Sequence, residues 1–177
     1  VRTSGRAGFT ILELLVVLSI IAVIIATAIA AVMHTKVVAN EATAISSLRT
    51  IHDAEEAFRA TCGDGRFFAS TLPQLGAAHT VTYDLADAPI VSKSGYLVTL
   101  VGTPPAADSD KDRRDACTGQ PVADHWYATA TPQFPGKTGR RGFATARDQD
   151  IWADTKGVPP PEPFQAGETI SRLEIVK

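Results

Sequence analysis

Hydrophobic positions along this chain follow three patterns. From Leu14 to Met33 only Ser19 and Thr27 are polar, so apolar side chains occupy every face of a helix rather than one stripe. The run matches the roughly 20 apolar residues with which a helix crosses a ~30 Å hydrocarbon layer, and lipid or neighbouring copies must cover it. From His34 to Ala60 there is no Pro or Gly, and Val37, Ala44, Ile45, Leu48, Ile51 and Phe58 fall on one side of a helix, with Arg49, Asp53 and Glu56 opposite. Glu55 falls on the apolar side, so the stripe is imperfect and the acid is expected at its margin. The missing breakers predict one helix from about Thr10 to about Ala60, on the order of 75 Å long. Gly63 and Gly65 then end it, with Cys62 in the last turn.

Beyond the helix the period changes to two. Gly95–Val101, His125–Thr131 and Gly142–Arg147 are rich in β-branched, aromatic and small residues between Gly and Pro punctuation, which predicts three strands in an antiparallel meander packed on the outer half of the helix. Leu72-Pro73-Gln74-Leu75-Gly76 reads as a short turn or helix. Gly157-Val158-Pro159-Pro160-Pro161-Glu162-Pro163 reads as an extended surface segment, and Thr169–Val176 as an edge strand or a short helix. The expected fold is α+β: one long N-terminal helix on a small antiparallel sheet of three to four strands.

Glu13 is out of place in this pattern. An acid within an apolar helix is costly and ordinarily has a partner, yet no Lys or Arg lies in the run. A cut between Gly8 and Phe9 would create an amino group four residues before Glu13, on the same chain or on a neighbour.

The stretch Gly8-Phe9-Thr10-Ile11-Leu12-Glu13-Leu14-Leu15-Val16-Val17 resembles the prepilin leader and N-terminal segment of type IV pilins and type II secretion pseudopilins. It has a basic leader, Gly before the cut, Phe after it and Glu at the fifth mature position. The resemblance covers little of the chain. It implies that a membrane prepilin peptidase removes the leader and methylates Phe9, and that mature subunits assemble, with an inner-membrane machinery, into a helical filament around these helices. Phe9 and Glu13 would be the assembly residues. The implied organisation is a leader (1–8), a transmembrane and polymerisation helix (9–33), its amphipathic half (34–62) and a globular head (63–177). The order of head segments also resembles pilin heads, with Lys93-Ser94-Gly95-Tyr96 opening the first strand. A secretory signal peptide would place small residues after the apolar core, and a plain anchor would not need the acid. Neither accounts for Gly8 and Glu13 together.

Composition narrows the head's roles. Formal net charge is −2, and loss of Arg2 and Arg6 leaves 15 basic against 19 acidic residues, a net −4, so overall charge gives nucleic-acid binding no support. Arg2 and Arg6 before the run, against His34 and Lys36 after it, favour by a small margin a cytoplasmic leader and a head that crosses; the resemblance carries most of the weight, and implies an inner-membrane subunit whose head stands in the periplasm or on a cell-surface filament. Cys62 and Cys117 suit a disulfide in an oxidising compartment and lack the spacing of zinc ligands.

Asp108, Asp110 and Asp112, with Asp115 nearby, alternate in a loop as calcium ligands do. The Gly and later Glu of a calcium loop are missing and Lys111, Arg113 and Arg114 intervene, so a solvated loop without metal is the expectation. Asp148, Asp150 and Asp154 form a second acidic set. Lys137, Arg140, Arg141 and Arg147 form a basic patch beside Phe134 and Phe143, which keeps a DNA-binding minor pilin as an alternative. His34 and His52 read as helix-surface residues. With no nucleophile, metal or phosphate-loop motif present, the expected role is a structural filament subunit rather than an enzyme, with no cofactor; the nearest rival is a type II secretion pseudopilin.

Overall fold

The computed structural model describes residues 9–107, 110–148 and 150–173, without the side chains of 27–31. The chain divides into two units, Val1–Lys36 and Val37–Lys177. Helix α1, Ile11–Thr61, contributes to both, close to the expected bounds.

In the first unit every described side chain, over 9–26 and again over 32–36, is exposed. Among the described residues no helix is long and apolar enough to cross a membrane.

The second unit is a helix laid on a sheet. Six antiparallel strands follow one another in sequence order: β1 (Ile90–Lys93), β2 (Tyr96–Thr103), β3 (His125–Pro132), β4 (Gly142–Ala146), β5 (Ile151–Asp154) and β6 (Ile170–Arg172). Period-two alternation sends Tyr96, Val98, Leu100, Trp126, Phe143 and Ile151 to the inner face, where Leu48, Ile51 and Phe58 of α1 meet them in a buried core. Each such side chain stabilises the fold by roughly 1.5–3 kcal/mol relative to exposure. Helix α2, Leu72–Ala77, closes one end of this core with Leu72 and Leu75. Thr71 caps it through its hydroxyl, and a Pro occupies its first turn.

The sheet is larger than the three to four strands expected. β1, β5 and β6 have four residues or fewer, too short for alternation to stand out. Lys93-Ser94-Gly95-Tyr96 does not open the first strand; it is the hairpin turn between β1 and β2. Ser94 and Gly95 both have positive φ (47° and 73°), as a two-residue turn matched to strand twist requires. The segment Thr169–Val176 supplies edge strand β6 in its described part.

Helix α1 stops where the glycines predict. The N–H groups of Cys62 and Gly63 both donate to the Phe58 carbonyl (2.8 and 2.9 Å). A Cβ on Gly63 would lie 2.0 Å from the Phe67 carbonyl oxygen, so the chain can fold back only on a glycine. The Cys62–Cys117 disulfide, with Cα atoms 5.3 Å apart, ties this helix end to the loop between β2 and β3.

The Pro-rich segment is a strap over the outer face of the sheet. The Val158 backbone crosses Gly142 so closely that a Cβ there would sit 2.2 Å from its carbonyl oxygen. Tyr127 donates its hydroxyl to the Pro160 carbonyl, and Phe164 stacks on Trp152 with ring centroids 5.6 Å apart.

Candidate functional site

The N-terminal segment is a capped helix that exposes its apolar side chains. Thr10 precedes the first helical residue, and its hydroxyl accepts the Glu13 N–H at 3.2 Å, while its carbonyl accepts the Leu14 N–H at 3.2 Å. Thr10-Ile11-Leu12-Glu13 is therefore the S/T-x-x-E pattern of a capping box, a local role for Thr10 that the sequence carried and the apolar run hid. Placing Glu13 in the first turn also sets a negative charge at the positive end of the helix dipole. The Glu13 carboxylate is exposed and has no ion-pair or hydrogen-bond partner among the described residues. Around it Phe9, Ile11, Leu12 and Leu15 are at least 63% exposed, a surface that soluble proteins seldom leave uncovered. Gly8, the other half of the expected cleavage junction, lies outside the described residues.

Residues 3–29 match the family model described as the prokaryotic N-terminal methylation motif. Its N-terminal segment is of the type IV pilin and pseudopilin kind. The match supports a pilin- or pseudopilin-like subunit and covers none of the head. No curated protein and no solved structure matches the chain.

The head carried by this pilin-type segment uses many of its charges for its own construction. Glu41 on α1 accepts the N–H groups of Arg140 and Arg141 (2.9 and 3.2 Å) and the Arg141 guanidinium (2.8 Å). Burial alone would raise this carboxyl; the Arg140 N–H and Arg141 more than offset it and hold it below the ordinary 4.5. Asn40 donates to the Thr138 carbonyl at 2.8 Å, so the β3–β4 loop is clamped to the helix at two adjacent positions. Of the expected basic patch, Lys137 and Arg140 remain exposed, Arg140 meeting Glu41 only through its backbone N–H. Arg141 is engaged by Glu41, Arg147 lies over the Phe68 ring (5.5 Å), and Phe143 is buried rather than free to stack on bases.

The loop carboxylates are likewise engaged. Asp110 meets Arg66 at 3.2 Å and Arg113 at 3.9 Å, Asp112 is exposed, and Asp108 lies outside the described residues. Among the described residues no group of three or more His, Cys, Asp or Glu side chains could hold a metal ion. Asp115 instead organises the turn beside Cys117, accepting from the Cys117, Thr118 and Gln120 N–H groups, the Thr118 hydroxyl and Gln74 Nε2. Against the rise that burial would cause, Thr118 first and then Gln74 and Cys117 hold it below its ordinary value.

Two polar residues of α1 lie deeper than the helix pattern places them. Glu55 is 0% exposed rather than marginal, and His52 is buried edge-on to Trp126 (5.7 Å) rather than on the surface. Glu55 Oε2 accepts the Ala69 N–H at 2.9 Å, but Oε1, His52 Nε2 and Trp126 Nε1 make no hydrogen bond among the described residues. Burial pushes the Glu55 carboxyl up to about 8, against the Ala69 N–H and with help from Glu56.

Proposed function

We propose that this chain is a structural subunit of a type IV pilus-like filament. A prepilin peptidase cuts after Gly8 and methylates Phe9; the subunit waits in the bacterial inner membrane with its head outside the cytoplasm, and it polymerises through α1. The observation that carries this reading is a capped helix, matched to the methylation motif, whose apolar side chains are exposed on all sides around one unpartnered acid. In the filament, Glu13 pairs with the Phe9 amino group of a neighbouring copy. The pair sets register, because the charge is costly in an apolar bundle unless that cation meets it. The apolar run then exchanges lipid contacts for contacts with other copies, and the head is displayed along the fibre.

Three measurements test this. Mass spectrometry of the mature chain is expected to find N-methylated Phe9 as its first residue; a mature chain beginning before Phe9 overturns the prepilin reading. Glu13→Ala is expected to be cleaved and to keep a folded, oxidised head yet fail to enter filaments, and its assembly at the wild-type level would remove the register pair. Electron microscopy of cells with and without the chain separates long surface fibres, as pilins form, from short periplasmic ones, as pseudopilins form.

A further inference from the structure

The head has a cleft that the filament reading leaves without a role. It lies open on the outer side of the sheet, between the start of β5 and the far end of the strap, with a volume of about 520 Å³, within the ~300–1,000 Å³ range of small-ligand sites. Its apolar wall is Trp152 stacked on Phe164, with an interplanar angle of 14°, and Phe164 rests in turn on Tyr127 at 6.1 Å. The aromatic surface is thus held in place by both the sheet and the strap. His125 and the carboxylates of Asp148, Asp150 and Glu162 complete the lining.

Carboxylates outnumber cations on this wall. Asp150 is met by Arg172 at 3.1 Å and Glu162 by His125 at 2.9 Å. Asp148 is exposed and has no partner among the described residues, and its neighbour Arg147 is turned away over Phe68. Three carboxylates therefore face one guanidinium beside aromatic rings. The two features suit a cation on an apolar stem: the aromatic rings give the stem an apolar wall, and the carboxylates draw the charge. Among the described residues the donors do not form a group that could hold a metal ion. A cation carried on an apolar stem fits both parts of the lining.

We propose that this cleft binds a primary ammonium or guanidinium group on a short aliphatic stem, the stem against Trp152 and Phe164 and the charge at Asp148. The same chemistry is offered by a free diamine and by a lysine or arginine side chain of another protein. Calorimetric titration of the full chain in detergent, with 1,5-diaminopentane and with a capped Gly-Lys-Gly peptide, tests it. Saturable binding of either is expected, and Asp148→Asn, which removes an exposed and unpartnered charge, is expected to weaken it about fivefold. Tighter binding of the peptide identifies a protein side chain as the source, and tighter binding of the diamine a free amine; both support the site. It is overturned by no saturable heat, by 1-pentanol binding as tightly as the diamine, by an Asp148→Asn titration like wild type, or by calcium displacing the amine.

Discussion

Glu55 couples the packing of the head to pH. Unfolded, its carboxyl loses the proton near its ordinary 4.5; folded, burial defers that loss to about 8. Between those values the folded state holds the extra proton, so this contribution to stability is full below 4.5 and falls as pH rises to about 8. Glu55→Gln keeps an acceptor for the Ala69 N–H and removes the ionisation. The variant is expected to exceed wild type in stability at pH 8 by up to a few kcal/mol, with the difference shrinking toward pH 5. Thermal midpoints read from the near-ultraviolet signal of the buried aromatic residues at the two pH values check this, and a wild-type midpoint that does not change would refute it. Glu41 has the opposite sign. Its folded carboxyl is held below 4.5, so its contribution is present above that value and is lost as pH falls through the lowered one. Glu41→Ala leaves the Arg140 and Arg141 N–H groups without their acceptor, at a cost of roughly 1–3 kcal/mol. Faster tryptic cleavage at Lys137, Arg140 and Arg141 is the expected readout.

Among the elements, the junction of α1 with the β2–β3 loop rests on one covalent link. Cys62 and Cys117 are 55 residues apart, and closing a loop of that size removes unfolded-state entropy equivalent to about 4 kcal/mol. Reduction is therefore expected to lower the thermal midpoint of the head while leaving β1–β6 paired, which circular dichroism with and without reductant measures. The elements that the sequence displayed were those whose signal is local. A breaker-free run ending at Gly63 gave α1, and alternation over five or more residues gave β2, β3 and β4. β1 and β5 escaped because four residues carry too little periodicity, and because Asp150 and Asp154 made the surroundings of β5 look like a loop, while the segment holding β6 was legible only as a strand or a short helix, three residues being too few to choose between them. The candidate site divides the same way. Glu13 and Thr10 lie three residues apart and can be read together, whereas Glu41 and Arg141 are joined across 100 residues, a distance over which no local pattern reports a contact. Arg141 consequently read as a free member of the basic patch, although its guanidinium is engaged by Glu41.

For the whole molecule, every buried hydrophobic residue described belongs to the second unit, beginning with Val37. A chain starting at Val37 is expected to fold with the same near-ultraviolet signature and the same disulfide while losing the need for detergent. Failure to form Cys62–Cys117 in air would show instead that the head depends on the N-terminal segment. That the apolar run and the head make separate demands was visible from composition alone. What composition concealed was the course of the chain after β5. A run of prolines carries no alternation, and nothing in Gly157–Pro163 says on which side of the sheet it will lie. The contacts that settle it, Val158 at Gly142 and Phe164 at Trp152, join residues that share no periodic pattern. A sheet with a bare flat face is a template on which a second sheet can stack, a hazard that grows when many copies are held side by side. The strap covers that face, and its prolines offer no N–H with which a further strand could pair. By lying across β3 to β5, the strap makes that part of the head a poor surface for aggregation, so that crowding would act through whichever contacts the helix dictates.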